Sequence, residues 1–214
     1  MELRDAAQLS ALANQLRGRE AAADDVFESI YPAAFRESSQ CFWTPVSVAL
    51  RAAEWLVRGP ETRVLDVGSG VGKMCIVGAL STGATFVGVE RRPHFVAAAI
   101  RAAERLEARS ARFVVGAFED QDVTAYDGVY LFNPFEENIL PMLRIDHDVE
   151  MEPQLYDDYT LHVQEQLERM PLATRVVTYF GSCAEVPDCY ACVETAYDGM
   201  LKLWVKTRPA FDDN

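Results

Sequence analysis

The segment 64–72, Val-Leu-Asp-Val-Gly-Ser-Gly-Val-Gly, combines a short apolar run with a turn rich in glycine. A glycine turn between a strand and a helix lets the backbone approach a ligand closely, because no side chain stands in the way. Asp66 precedes the turn, and Glu90 ends the next apolar run, Phe-Val-Gly-Val-Glu. Carboxylates accept hydrogen bonds from hydroxyl groups and attract cations. The spacing therefore predicts a small-molecule site at this turn.

Two familiar nucleotide-binding turns do not fit this spacing. The dinucleotide fingerprint G-x-G-x-x-G needs glycine at position 73, where the chain has Lys73. A P-loop that ends at Gly72 and Lys73 needs glycine at 67 and serine or threonine at 74, but Val67 and Met74 occupy these positions. The sequence therefore does not predict a phosphate-binding turn here.

A second group of candidate residues follows a later apolar run, in Asp-Gly-Val-Tyr-Leu-Phe-Asn-Pro-Phe-Glu at 127–136. The side-chain carbonyl of Asn133 and the backbone carbonyl of Pro134 can accept both N–H groups of an amine and so aim its lone pair. The ring of Phe135 can stabilise the cation that develops on the nitrogen. We therefore predict these three residues to be catalytic. Asn-Pro is also a common strand terminator, so a structural role is the alternative.

Short apolar strands that alternate with helices are expected to position these residues. The predicted strands are 63–67, 85–89, 112–115, 127–132 and 175–180, and the helices among them are 73–80, 94–109 and 154–170. Regular alternation predicts a doubly wound, mostly parallel α/β sheet of the Rossmann-like class. Segments 189–196 and 200–207 flank Asp198-Gly199, a hairpin signal. An antiparallel pair is therefore expected to close a seven-stranded sheet.

The first sixty residues contain helix signals and no strand signal. Apolar spacing predicts a first helix that ends near Gly18, and residues 23–30 are suited to a second. Thr44 is a suitable N-cap and Pro45 a suitable first residue for a helix that ends near Val57. We predict an N-terminal helical cover over 1–60, part of the same unit as a Rossmann-like domain over 61–214.

Charge and composition limit the partners. The 214 residues include 20 Lys plus Arg against 33 Asp plus Glu, a formal charge of -13. Because so acidic a surface repels a phosphate backbone, nucleic acid is not expected as the main partner. No apolar stretch has the length of a membrane span, and the N-terminus lacks the pattern of a secretory signal. These features indicate a cytoplasmic protein without a membrane partner.

The five cysteines form an odd set, which favours reduced thiols. Cys189 and Cys192 have the spacing of metal ligands, but they lie in a predicted strand with no apparent fourth ligand beyond Cys183. We therefore expect buried thiols and no metal site.

The glycine turn with Asp66 and Glu90 resembles that of the class I S-adenosylmethionine-dependent methyltransferases, and the resemblance covers about 40–207. It implies S-adenosyl-L-methionine as cofactor, with the glycine turn against its methionine and ribose part. Asp66 would hold the loop or the amino group. Glu90 would accept hydrogen bonds from both ribose hydroxyls and, because it faces a ligand, contribute little to folding. Phe42-Trp-Thr-Pro resembles a segment that covers the cofactor, although capping alone also explains Thr44.

The expected adenine contact departs from the family pattern. The family has Asp directly after the glycine that ends the third strand, whereas this chain reads Gly-Ala-Phe-Glu-Asp at 116–120. Phe118 can line the adenine face, and Glu119 or Asp120 can supply the acceptor; a solvated loop is the alternative for either acid. The cofactor-binding residues implied in this way are Trp43, Thr44, Asp66, Gly68, Ser69, Gly70, Gly72, Glu90, Arg91, Phe118, Glu119 and Asn133.

The segment at Asn133 resembles the one that follows the fourth strand in methyltransferases acting on amine nitrogens, including the Dot1-type lysine methyltransferases, and the glycine motif is similar to theirs as well. The resemblance implies methyl transfer to a nitrogen of a small molecule or a protein side chain. A non-catalytic protein that binds the cofactor as a sensor or subunit is the alternative, followed by a nicotinamide-dependent oxidoreductase.

Overall fold

The sheet of the computed structural model contains every strand that the sequence predicts. The strands are β1 (Arg63–Val67), β2 (Thr85–Glu90), β3 (Ala111–Val115), β4 (Gly128–Phe132), β5 (Arg175–Tyr179), β6 (Tyr190–Ala196) and β7 (Leu201–Lys206). Their spatial order is β3-β2-β1-β4-β5-β7-β6. The first five strands are parallel, and β7 lies antiparallel between β5 and β6. The structure describes residues 5–36, 39–132 and 153–210. The predicted fold class is confirmed.

Helices precede and alternate with the strands. They are α1 (Ala6–Arg17), α2 (Asp24–Glu28), α3 (Ala33–Arg36), α4 (Ser39–Phe42), α5 (Val46–Leu56), α6 (Lys73–Thr82), α7 (Pro93–Arg105) and α8 (Pro153–Arg169). Helix α7 ends four residues earlier than the apolar pattern predicts. The reason is local: Glu107 adopts a left-handed conformation (φ 52°), which a continuing helix does not accommodate.

Each face of the sheet buries a separate apolar core. Helices α1, α5, α6 and α7 contribute to one core, which includes Leu16, Ala52, Ile76 and Ala102. Helix α8 contributes Val163 and Leu167 to the other, against Leu65 and Val129 of the central strands. Because helices cover both faces, the central strands are nearly continuous apolar runs. None of the helices in the described ranges is long and apolar enough to cross a membrane.

The start of α5 differs from the sequence prediction. Pro45 occupies the N-cap position, and no side chain of that residue caps the helix. Thr44 does not cap the helix either, since its hydroxyl is hydrogen-bonded to that of Tyr130, 2.9 Å away. Instead, the Val46 N–H donates to the Oδ1 atom of Asp24 at 2.8 Å. The prediction of Thr44 as N-cap is therefore wrong, because a partner from a distant strand takes the hydroxyl.

The carboxyl ends of the parallel strands meet at one edge of the sheet. Gly68 follows β1, Glu90 ends β2, Phe132 ends β4 and Phe180 follows β5. In open α/β sheets ligands bind at this edge, where the loops after the strands converge. The candidate site is therefore built from residues that the topology, rather than sequence proximity, brings together.

Candidate functional site

The glycine loop between β1 and α6 has a backbone that glycine favours. Gly68, Gly70 and Gly72 have φ values of 71°, 54° and 82°. The N–H groups of Gly68 and Ser69 both donate to the carbonyl of Val89, each at 3.0 Å, which ties the loop to β2. The loop is thus held in one shape at the edge of the sheet.

Two of these glycines differ in what surrounds them. A β-carbon on Gly72 would lie 2.4 Å from the ring of Phe113 and 2.9 Å from the β-carbon of Ala99, so Gly72 is required for packing. A β-carbon on Gly70 would meet nothing within 4 Å. The face of the loop at Gly70 is therefore open to a ligand.

Glu90 supports the loop from the end of β2. Its Oε2 atom accepts a hydrogen bond from the Gly70 N–H at 3.1 Å, and its Oε1 atom accepts one from the Arg92 N–H at 3.0 Å. The guanidinium of Arg92 lies 3.5 Å from the same Oε1 atom, and both side chains are buried. A carboxylate has about four acceptor positions, so Glu90 retains capacity for ligand hydroxyls.

Asp66 is a buried acid beside the loop. Its Oδ2 atom accepts a hydrogen bond from the thiol of Cys75 at 3.3 Å. Burial raises the pKa of Asp66 to about 7; the thiol hydrogen bond opposes this and the charge of Glu90 adds to it. Asp66 therefore changes charge close to neutral pH, and a cation beside it would favour the ionised form.

A narrow cavity of about 30 Å³ lies against the loop. Six of the predicted site residues line it together: Trp43, Thr44, Asp66, Gly68, Ser69 and Gly70. Phe42, from the segment predicted to cover the cofactor, lines it as well. The sequence did not indicate the other lining residues as parts of the site, which are Val71, Lys73, Met74, Tyr130 and Phe132. Tyr130 and Phe132 alternate on β4 directly before Asn133, a position that could have suggested them.

Lys73 is the most important residue that the predicted site did not include. Its Nζ atom lies 2.6 Å from Oδ1 of Asp24 and 2.8 Å from Oε1 of Glu28. The lysine side chain is only 3% exposed, and its ammonium also faces the rings of Phe27 and Trp43 at 5.6 and 6.0 Å. Helix α2 is thereby fixed to the first residue of α6, next to the glycine loop.

The residues expected near adenine form a second polar group. Arg91 pairs with Oε1 of Glu119 at 2.6 Å and donates to the hydroxyl of Tyr159 at 2.8 Å. The other oxygen of Glu119 is buried without a hydrogen-bond partner among the described residues. Asp120 is exposed, and Phe118 is buried in the core beneath α8. Of the two candidate acids, Glu119 thus offers a free buried acceptor.

The remaining predicted site residues are placed as follows. Asn133, Pro134 and Phe135 lie outside the described residues. Cys189 is buried as expected, but Cys192 is exposed, so the expectation of a buried thiol is wrong there. Its strand lies at the edge of the sheet, which leaves one face in solvent. In the part of the chain that the structure describes, no three His, Cys, Asp or Glu side chains are placed to hold a metal ion.

Comparison with known proteins identifies the family of the chain and structures with a similar fold. The model of a methyltransferase domain family matches residues 59–196. No curated protein shows significant similarity to the chain. The structure is similar to that of an RNA methyltransferase from Salinibacter ruber in complex with S-adenosyl-L-homocysteine, with a TM-score of 0.52, 23% identity, and coverage of 80% of this chain and 97% of that one.

Two further structures are similar at lower identity. TrmN from Thermus thermophilus has a TM-score of 0.58 and 16% identity over 81% of this chain, which spans 52% of TrmN. A precorrin-6y methyltransferase from Geobacter metallireducens has a TM-score of 0.50 and 13% identity, over 78% of this chain and 89% of that one. At these identities the similarity concerns the fold alone. Membership of the methyltransferase domain family rests on the match of the family model to residues 59–196.

Proposed function

This chain belongs to the methyltransferase domain family, and from that premise we propose that it transfers the methyl group of S-adenosyl-L-methionine to a nitrogen of an amine-bearing small molecule or protein side chain. The observation that carries the cofactor assignment is the bond between the Gly70 N–H and the buried Glu90 carboxylate. It joins an open glycine loop to a carboxylate that would accept hydrogen bonds from ribose hydroxyls at the carboxyl edge of the sheet.

Two buried polar atoms support the fit of the cofactor. Within the described ranges, Ser69 Oγ on the glycine loop and Glu119 Oε2 beyond β3 have no protein hydrogen-bond partner. Buried polar atoms are seldom left unpaired, so a ligand with donors at both places accounts for them. Glu119 would accept from the adenine amino group, with Arg91 orienting the carboxylate through its 2.6 Å ion pair.

The acids of the site suit a cation. Asp66 would hold the amino group of the cofactor, and its negative charge together with that of Glu90 would favour a sulfonium nearby. The cofactor supplies an already activated methyl group. The work of the protein is therefore to orient the acceptor in line with that methyl and to exclude water from the contact.

The nitrogen acceptor is inferred from the residues after β4. Asn133 and Pro134 would accept the N–H groups of the amine, and Phe135 would face the developing charge. The acidic composition supports an amine over a polyanion, since the chain carries a formal charge of -13. The RNA methyltransferase from Salinibacter ruber shares the fold, which leaves the acceptor of this chain to be decided by its own residues.

Calorimetric titration with three ligands tests the cofactor assignment. S-adenosylmethionine and S-adenosylhomocysteine should bind, whereas NAD should not. Tight NAD binding without heat from S-adenosylmethionine would overturn the proposal. Transfer of a labelled methyl group to a panel of amines then tests the activity, and binding without transfer to any acceptor would indicate the sensor or subunit alternative.

A further inference from the structure

Three aromatic side chains cluster at the carboxyl ends of β4 and β5. The ring centroid of Phe132 lies 4.9 Å from that of Tyr179 and 6.2 Å from that of Phe180. The rings of Tyr179 and Phe180 are 4.8 Å apart and nearly perpendicular, at 75°. Phe132 also lines the cavity beside the glycine loop. The cluster is thus continuous with the candidate cofactor site.

Phe180 combines an unusual backbone conformation with an exposed aromatic side chain. Its φ is 61°, in the left-handed region that a bulky side chain rarely adopts. Its side chain is large and apolar, yet the residue is 44% exposed. Glycine or asparagine would fit the backbone better, and a polar residue would suit the exposure. A strained position that presents an aromatic ring beside a pocket is typical of a binding residue.

The charges near the cluster are mainly negative. Asp66 lines the cavity, and the ammonium of Lys73, another lining residue, pairs with Asp24 and Glu28. Burial raises the pKa of Tyr179, and nearby Tyr197 and Asp24 raise it further. Such surroundings favour a neutral or cationic ligand over an anion.

We propose that this aromatic cluster binds the methyl acceptor, and that the acceptor is a small planar aromatic amine whose ring packs on Phe180 and Phe132. The proposal rests on the proposed function and narrows its acceptor. Flat rings match the offset and edge-on packing that aromatic side chains favour. An aromatic amine is also unprotonated at neutral pH, whereas an alkyl amine such as lysine, with a pKa near 10.4, must first lose a proton.

The transfer step balances without a further reactant. The nitrogen lone pair forms a bond to the methyl carbon, and the electron pair of the carbon–sulfur bond remains on sulfur, which becomes a neutral thioether. The proton released by the methylated nitrogen passes to solvent. The aromatic cluster contributes by holding the ring and by keeping water from the reacting atoms.

Titration of the protein saturated with S-adenosylhomocysteine tests the proposal. 8-Aminoquinoline serves as the planar aromatic amine, cadaverine as the alkyl amine, and a short RNA oligonucleotide as the polyanion. We expect aminoquinoline to bind about ten-fold or more tightly than cadaverine, with no RNA binding. Equal affinity for both amines, or preference for RNA, would overturn the aromatic acceptor.

Variants of Phe180 complete the test. Phe180→Leu keeps an apolar side chain without the ring, and Phe180→Gly suits the left-handed backbone, so at least one should fold normally. Both should weaken aminoquinoline binding about ten-fold and leave the affinity for S-adenosylhomocysteine unchanged. The matched control is Leu172→Ala, because Leu172 is 58% exposed and precedes β5 at the opposite edge of the sheet.

The outcomes separate the two proposals. Unchanged aminoquinoline affinity in both Phe180 variants refutes the aromatic acceptor site, while S-adenosylhomocysteine binding by the same preparations upholds the cofactor assignment. Absence of S-adenosylhomocysteine binding in the parent protein refutes the proposed function itself.

Discussion

The carboxylate of Glu90 and the backbone N–H of Gly70 form a 3.1 Å hydrogen bond between the end of β2 and the glycine loop after β1. The same carboxylate also accepts from the Arg92 N–H and faces the buried Arg92 guanidinium. Glu90 therefore holds the loop in shape. We propose that its remaining acceptor capacity serves the ribose hydroxyls of the cofactor.

Replacement of Glu90 by alanine should affect both folding and binding. The buried Arg92 guanidinium would lose the charge of Glu90, and the Gly70 N–H would lose its acceptor, which should lower the free energy of unfolding by about 2 kcal/mol. Loss of the ribose acceptor should weaken S-adenosylmethionine binding by about 1 to 3 kcal/mol. Urea unfolding and calorimetry measure the two effects, with Glu90→Gln as a milder comparison. Parent-like cofactor affinity in Glu90→Ala would contradict the ribose assignment.

The expectation that Glu90 contributes little to folding shows which contacts a sequence pattern does not predict. The strand-end position of Glu90 follows from an apolar run and its last residue, which are local features. The contacts of Arg92 with the Glu90 carboxylate depend on the path of the loop after β2, which no local sequence pattern specifies. Lys73 was missed for the same reason, because its partners Asp24 and Glu28 are 49 and 45 residues away in the chain.

The strands themselves were predictable because their signals are local. Each parallel strand is a short apolar run bounded by turn residues, and Asp198-Gly199 marks the hairpin, where both residues adopt positive φ values. The insertion of β7 between β5 and β6 was not predicted, since the order of strands in space depends on contacts between distant segments. Sequence patterns thus predicted where the strands lie along the chain, but not which strands are neighbours in the sheet.

The substitution Gly70→Ala should distinguish the effect of backbone strain on stability from the effect of a ligand contact on cofactor binding. Gly70 and Gly83 both have positive φ values, 54° and 76°, and a β-carbon at either would meet nothing within 4 Å. Gly70→Ala and Gly83→Ala should therefore each lower the free energy of unfolding by about 1 kcal/mol. Only Gly70→Ala should weaken cofactor binding, by about ten-fold, because its methyl group would enter the open face of the loop.

Equal cofactor affinity in the two alanine variants would mean that no ligand approaches Gly70. Calorimetry with S-adenosylhomocysteine and thermal unfolding of the same preparations provide both measurements. Gly83 caps the far end of α6, so it reports strain away from the site.

Asp66 should make the stability of the protein depend on pH. Its pKa of about 7 in the folded protein lies above the ordinary value of 3.8. The folded state therefore favours the protonated acid. The resulting contribution of Asp66 to the free energy of unfolding is fully present below about pH 4 and is lost as pH rises to 7. The unfolding free energy should fall by up to about 4 kcal/mol over this interval relative to that of Asp66→Asn. Urea unfolding between these pH values measures the difference, and parallel curves would exclude it.

Cofactor affinity should show the opposite trend with pH. The cationic cofactor favours ionised Asp66, so binding should strengthen as pH rises through about 7 in the parent protein. Asp66→Asn cannot ionise and should lack this increase. A pH dependence that is the same in both proteins would assign it to other groups, including those of the cofactor.

Alanine at Asn133 should affect chemistry more than binding. If the side-chain carbonyl orients the acceptor, Asn133→Ala should bind S-adenosylmethionine like the parent, while single-turnover methyl transfer falls by about a hundred-fold or more. A structural asparagine would instead lower thermal stability and cofactor affinity together. The melting temperature and the cofactor affinity can be measured before the acceptor is known, and a joint loss would count against catalysis.

Methionine at Lys73 should loosen the N-terminal helices from the glycine loop. The lysine side chain is 3% exposed, and its partners Asp24 and Glu28 are 48% and 14% exposed. Removal of the ammonium would leave Glu28 nearly buried without its cation, whereas Asp24 can still be hydrated. We therefore expect Lys73→Met to lower the free energy of unfolding by about 2 kcal/mol, less than for a fully buried pair.

Arg51 provides the matched control for this variant. Its ion pair with Glu54, at 2.9 Å, has partners that are 46% and 58% exposed, so Arg51→Met should change the unfolding free energy by less than about 0.5 kcal/mol. Hydrogen exchange should in addition show faster exchange in α2 (Asp24–Glu28) for Lys73→Met than for Arg51→Met. Equal effects of the two substitutions would mean that the buried ammonium does not hold α2. The helix would then depend on its apolar contacts, such as that of Phe27 in the core.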